Sequence, residues 1–157
     1  MTPQMIEHLL TGKQSHLDPR KALRDLDWQV AGRRVQQAPN SIYKILNHLV
    51  YWQDIYLQRI SGVDAPAPAR PSLGWPLGQT PEDGGAWSFA VARFEAGLET
   101  ALKMARTWNL YDNIPTFRGI TLAEALTYLA IHNSHHIGQI VTLRQALGAW
   151  PEARDVW

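Results

Sequence analysis

From Leu122 to Leu147 the residues Leu122, Leu126, Leu129, His132, His136, Ile140, Leu143 and Leu147 follow one another at steps of three and four. A strand would need steps of two. This spacing gathers all eight side chains on one face of an α-helix about seven turns long. A helix of that length must cover its apolar side with other helices, so the last third of the chain alone argues for a helical bundle. Two members of the stripe are histidines rather than leucines. Three of the chain's six histidines fall within 132–136, and an imidazole at a core position needs a hydrogen-bond partner or a metal.

The remaining segments read as partners for that helix. Pro3 to Leu10 carries Met5, Ile6, Leu9 and Leu10 as an apolar face and can end at Thr11-Gly12. Asp18-Pro19 pairs an N-cap with a proline suited to the first helical position, opening a segment through Leu23 and Leu26. Trp28 to Val35 either continues it or forms a separate turn, and Pro39 closes the region. Asn40 or Ser41 can cap the next helix, whose stripe is Ile42, Ile45, Leu49, Trp52 and Tyr56, up to Ser61-Gly62. Five of the ten prolines and five of the eleven glycines lie between Ser61 and Gly85, which marks a long irregular crossover. Trp87, Val91, Phe94, Leu98, Ala101, Ala105 and Trp108 then alternate steps of four and three, the periodicity of a bundle core. Thr121 and Glu124 have the spacing of a capping box. No strand-like alternation competes, and no internal repeat is visible. The expectation is an all-α chain, a single domain over residues 1–157. It is a four-helix bundle whose long crossover joins the second and third bundle helices and permits two neighbours to run parallel.

Composition narrows the function classes. At 157 residues a single core needs no staples. The net charge of +1 is spread out, with Arg20-Lys21 and Arg33-Arg34 the only adjacent basic pairs, which argues against a nucleic-acid footprint. There is no cysteine, so thiolate metal sites, disulfides and a cysteine nucleophile of the chain's own are excluded. No apolar stretch approaches the ~18 residues of a membrane span, and no basic-then-apolar leader opens the chain. A soluble cytoplasmic protein without a membrane or nucleic-acid partner is expected.

Residues at i and i+4 of a helix differ by about 40° in direction and ~6 Å in height, so His132 and His136 can reach one ion beside the helix. His48 is the best third ligand, because Ile45, Trp52 and Ile55 surround it at helical spacing. His8 is a weaker candidate, and His16 reads as solvated. His135 lies off the line, nearer Tyr128 and Thr142, either as a support to the ligands or simply exposed. Three neutral imidazoles around a divalent first-row metal leave a position for water or substrate. Metal binding is therefore favoured over hydrogen-bonded packing. A zincin would need Glu where Asn133 stands, and a di-iron bundle would need Glu-x-x-His on two helices, which Glu95, Glu99 and Glu124 do not provide. Ser134 has no evident triad.

With these residues in hand, the chain resembles the DinB-like family of metal-binding four-helix bundles, related to thiol-dependent S-transferases. The matching segments are Ser41-Ile42 leading to Asn47-His48-Leu49 and Trp52; Gly74-Trp75-Pro76; His132-Asn133-Ser134-His135-His136-Ile137-Gly138-Gln139-Ile140; and Leu147-Gly148-Ala149-Trp150-Pro151. They span nearly the whole chain, and the histidine helix with its Gly-Gln-Ile continuation is the most specific of them. The resemblance implies a bundle, often a homodimer, holding zinc, nickel, iron or manganese on His48, His132 and His136. In some members the metal holds an external low-molecular-weight thiol as its thiolate.

Around the ligands, Gly138 can let a neighbouring helix approach, or is a glycine tolerated at some cost. Gln139 can hydrogen-bond a ligand imidazole or a bound water, or is a polar residue at the edge of the stripe. Trp52 is expected to wall the pocket as core. Trp75 can cover the metal or, the arrangement favoured here, pack against the bundle end. Three functions follow. One is an enzyme that activates a thiol or water for transfer or hydrolysis of a small molecule; it has no convincing general base, since Asp54 stands six residues from His48. The others are a protein whose metal only ties helices together, and a metal-free helical partner module.

Overall fold

The computed structural model describes residues 1–13, 15–75 and 78–151. Pro76 and the tail beyond Pro151, both included in the sequence reading, lie outside the described residues. Among the described residues, no helix is long and apolar enough to cross a membrane.

Each helix starts where a side chain can accept from its first N–H groups. α1 (Pro3–Thr11) is capped by Thr2, α2 (Pro19–Leu23) by Asp18 and α3 (Trp28–Ala31) by Asp27, so the segment after Leu26 is a separate turn of helix. Ser41, rather than Asn40, caps α4 (Ile42–Ile60). A 3-10 turn over Pro71–Gly74 interrupts the crossover, and Asp83 caps α5 (Gly84–Thr107). Thr121 and Glu124 form the expected capping box at the start of α6 (Leu122–Ala146). Such caps are worth about 1 kcal/mol each.

α1, α4, α5 and α6 make the bundle, and printed contacts give their directions. Tyr43 meets Trp87 at 6.5 Å near the starts of α4 and α5. Further along both, Gln53 donates to the Phe94 carbonyl at 2.9 Å and Asp54 pairs with Arg93, so the two helices run parallel. α6 runs antiparallel to α4, with His48 beside His136 and Trp52 beside His132. α1 runs antiparallel to α5, with Met1 near Tyr111 and Glu7 on Arg106. A parallel pair requires a return along the bundle, and 19 residues of α4 rise roughly 28 Å. The crossover of residues 61–83 is long because it must cover that distance. Gly97 lets the pair approach closely: a Cβ there would stand 2.1 Å from Gln53 Nε2.

The core is built from Leu46, Leu49, Phe94, Leu98, Leu102, Leu126 and Leu129, all buried. Truncating one of these leucines to alanine costs about 2–5 kcal/mol. α6 is buried over more than the anticipated stripe, since Ala125, Ala130, Asn133, Ile137 and Arg144 are covered as well. Arg144 is only 2% exposed. It donates to the carbonyls of Ala22 at 2.9 Å, Arg24 at 3.0 Å and Ala149 at 3.0 and 3.2 Å, joining the end of α2 to the chain beyond α6.

Three expectations need correcting. Trp108 is not the last member of the α5 stripe; it caps the helix from outside and is 45% exposed. A small antiparallel pair exists, β1 (Asn113–Ile114) with β2 (Ile120–Thr121), too short for any alternation to show in sequence. Met5 points outward, leaving Ile6 and Leu10 as the buried face of α1.

Candidate metal centre

α4 and α6 lie side by side, and their antiparallel register sets His48 opposite the pair on α6. One nitrogen from each of His48, His132 and His136 falls within 4.8 Å of the other two. The ring centroids form a nearly equilateral triangle, 5.1 Å from His48 to His132, 4.6 Å from His48 to His136 and 4.7 Å between the α6 pair. The three residues proposed from spacing are thus brought together. His8 does not join them. His16 is half-buried, its Nδ1 against the Leu17 carbonyl at 2.8 Å, rather than solvated.

Hydrogen bonds decide which nitrogens face inward. A carbonyl only accepts, so His48 Nδ1 carries the proton it donates to Gly74 at 2.6 Å, leaving Nε2 with a free lone pair. His136 Nδ1 donates to Gln139 Oε1 at 2.8 Å, which likewise leaves Nε2. His132 Nε2 stands 3.2 Å from His48 Nε2, while its Nδ1 is buried without a partner.

Burial is the main cause of the site's electrostatics. It pushes His48 down to about 4; the proximity of His136 acts in the same direction, against the Gly74 hydrogen bond. His132 is also pushed down to about 4, by burial first and then by the neighbouring rings of His136, His48 and His135. His136 lies below the usual histidine range, again through burial, with Gln139 opposing. Three neutral imidazoles whose lone pairs converge form a donor set for a divalent first-row metal. The donor set fits such an ion for a second reason. Without one, the lone pair on His48 Nε2 faces His132 Nε2, which must then carry a proton; a cation takes that proton's place. No carboxylate and no fourth histidine joins the group among the described residues.

The surrounding residues refine the sequence reading. Gln139 does hold a candidate ligand, and its Nε2 lies 3.3 Å from Nε2 of the exposed His135, so both residues support the group from outside. Trp52 is half-buried and walls the site edge-on, 6.4 Å from the rings of both His48 and His132. Trp75 does not pack against the bundle end. It stacks on His48 at 3.7 Å with 9° between the ring planes, and lies 5.6 Å from His136. The hydrogen bond from His48 to Gly74 fixes the residue just before it, which a residue-by-residue reading of the crossover cannot foresee. Gly138 admits no neighbouring helix, since a Cβ there would meet nothing within 4 Å. Asp54 is engaged with Arg93.

Asn133 is buried although it lies off the apolar stripe of α6. It is 1% exposed, and neither end of its amide is hydrogen-bonded. The amide favours a proton on His132 slightly, yet completes no hydrogen bond to it. Its spacing from Leu126, Ala130 and Ile137 was the available signal.

No curated protein and no solved structure matches this chain. The family model described as the DinB superfamily matches residues 15–140. That is most of the chain and includes all three histidines, so the protein belongs to the DinB superfamily.

Proposed function

We propose that this is a metal-dependent enzyme. On this reading His48, His132 and His136 hold a divalent ion of the zinc, nickel, iron or manganese type, and the centre activates a low-molecular-weight thiol or a water for transfer or hydrolysis. The observation that carries this is a converging three-imidazole set that no further histidine or carboxylate joins among the described residues. A centre coordinated by three side chains leaves a position for an outside molecule, whereas a purely structural site is closed. When bound, such an ion lowers the pKa of a coordinated thiol or water.

The chain's own contribution is placement and shielding. The Gly74 carbonyl sets the orientation of His48, and Gln139 sets that of His136. Trp75 and Trp52 keep water from one side. The absence of a carboxylate from the cluster favours the thiol version, because a thiol made acidic by the ion needs no protein base. Such a thiol has to come from outside a chain without cysteine. The homodimer is part of the same reading and is measured by sedimentation velocity.

The first test is metal content after purification without an affinity tag, in the native chain and with His48, His132 and His136 all changed to alanine. About one ion per chain, lost in the triple variant, supports the site; equal content in both removes it. The second is metal-dependent conjugation of a panel of thiols to 1-chloro-2,4-dinitrobenzene, in which a C–S bond forms, chloride leaves and the thiol proton goes to solvent. A loaded protein that turns over no thiol and hydrolyses no ester returns the reading to an ion that only ties α4 to α6.

A further inference from the structure

Two of the three candidate ligands are held from behind by an oxygen atom. The Gly74 carbonyl accepts from His48 Nδ1 at 2.6 Å, and Gln139 Oε1 accepts from His136 Nδ1 at 2.8 Å. Each of those rings keeps its hydrogen on Nδ1 and turns a bare Nε2 to the shared space. His132 departs from this pattern. Its Nε2 is the inward nitrogen, 3.2 Å from His48 Nε2, and its Nδ1 is buried with no partner.

Because His48 Nε2 carries no hydrogen, the contact between the two Nε2 atoms needs one on His132. Without an ion, the lone pair of His132 is therefore on Nδ1. An ion held at Nε2 reverses this, since a neutral imidazole has a single hydrogen and it must then sit on Nδ1. One hydrogen leaves Nε2 and one is gained at Nδ1, so the charge of the ring is unchanged. Loading thus creates a buried N–H donor, and a buried donor without an acceptor is costly.

The next residue of α6 has an acceptor to offer. Asn133 is 1% exposed, and neither end of its amide has a partner. Among the described residues, the buried side-chain atoms without a partner are Gln53 Oε1, His132 Nδ1 and both amide atoms of Asn133, so all but one belong to this pair of neighbours. The amide is near enough to the ring to favour a proton on it. A half-turn about its Cβ–Cγ bond exchanges its oxygen and nitrogen, so either end can be presented. Packing alone has no use for an amide here. A bond made only in the loaded state gives it one.

We propose that Asn133 is the positioning residue of the third ligand: when an ion is held, its Oδ1 accepts from His132 Nδ1. It then does for His132 what the Gly74 carbonyl and Gln139 do for the other two rings. The proposal rests on the metal centre described above and on no particular reaction there.

The test is zinc affinity, measured by competition with a chromophoric chelator on the full-length native protein and on Asn133→Leu and Asn133→Asp. Leucine has the size of the amide but no acceptor. It is expected to weaken zinc binding by roughly 10- to 100-fold, while the thermal midpoint of the metal-free protein stays level or rises. Aspartate keeps an oxygen in place and binds zinc at least as tightly as the native protein. Long-range proton–nitrogen NMR spectra of the native protein give a reading that needs no variant. The His132 hydrogen is expected on Nε2 without zinc and on Nδ1 with it, and its signal in the loaded protein moves upfield in Asn133→Leu. A His132 hydrogen that stays on Nε2 in the zinc-loaded native protein overturns the proposal, as does an aspartate variant no better than leucine. So does a metal-free Asn133→Leu protein with a lowered thermal midpoint, because the amide is then satisfied without the ion. Zinc bound equally by native and Asn133→Leu proteins refutes the role of Asn133 and leaves the metal centre standing. Native protein that takes up no zinc removes both.

Discussion

Two polar groups are buried in α6 about three turns apart, and they have opposite characters. Arg144 has a partner at every nitrogen: its guanidinium donates to the carbonyls of Ala22, Arg24 and Ala149. His132 and Asn133 are incomplete, with His132 Nδ1 and both ends of the Asn133 amide lacking partners. One helix thus carries a finished structural joint and an unfinished polar centre. Unsatisfied buried groups cost stability, and a fold that satisfies Arg144 so fully shows that it can do so. The room for a visitor lies beside this deficit, at the inward nitrogens of His48, His132 and His136.

The sharpest way to break this contrast is Arg144→Met. It strands three carbonyls at once and should lower the stability of the metal-free protein by about 4 kcal/mol in urea titrations. Metal content of the folded fraction should not change. A loss below about 1 kcal/mol would show that the joint is not structural.

The histidine end should respond to pH where Arg144 does not. His48 and His132 sit at about 4 in the folded chain, against 6.5 for an ordinary histidine. Between those values the unfolded chain takes up protons that the folded chain refuses, so stability falls as pH drops through the window and is fully present above it. Metal-free protein should lose on the order of 6 kcal/mol from pH 7 to pH 4, about half from each of the two. With His48 and His132 both changed to phenylalanine, their share of that slope should vanish and only the smaller part from His136 should remain; an unchanged slope would place its origin elsewhere.

Chelation probes the visitor directly. At a hundredfold excess of metal over its dissociation constant, binding adds about 2.7 kcal/mol. Removing the ion with EDTA should lower the thermal midpoint by roughly 5–10 °C. The triple alanine variant should show no such drop. The smallest effect belongs to Asn133→Leu. Replacing an unpartnered buried amide with a side chain of similar size should be neutral or stabilising by about 1 kcal/mol; a destabilisation of more than about 2 kcal/mol would mean the amide is satisfied, for instance by a buried water.

Much of this was legible in sequence because it is local or periodic. The stripes of α4 and α6, that of α5 short of Trp108, the caps at Asp18 and Thr121, and the choice of His48, His132 and His136 all follow from spacing along single helices, whereas the choice of Ser41 over Asn40 does not. What escaped depends on chain segments far apart. Trp75 reaches His48 only because the crossover folds back and presents the Gly74 carbonyl, and nothing near residue 75 encodes that. The burial of Arg144 has no sequence signal, because its three acceptors are backbone atoms, which have no residue-type signature. Asn133 lies off the leucine and histidine stripe, and only the wider covered arc of α6 buries it.

The stack of Trp75 on His48 has an optical consequence. The indole touches one candidate ligand directly, and the neighbouring Gly74 carbonyl shares a proton with the same ring. An ion seated on that imidazole would alter the indole's excited state, so the emission of this residue is a built-in gauge of loading. A chain in which the other tryptophans were replaced would report capture and release of the ion in real time, without any added dye.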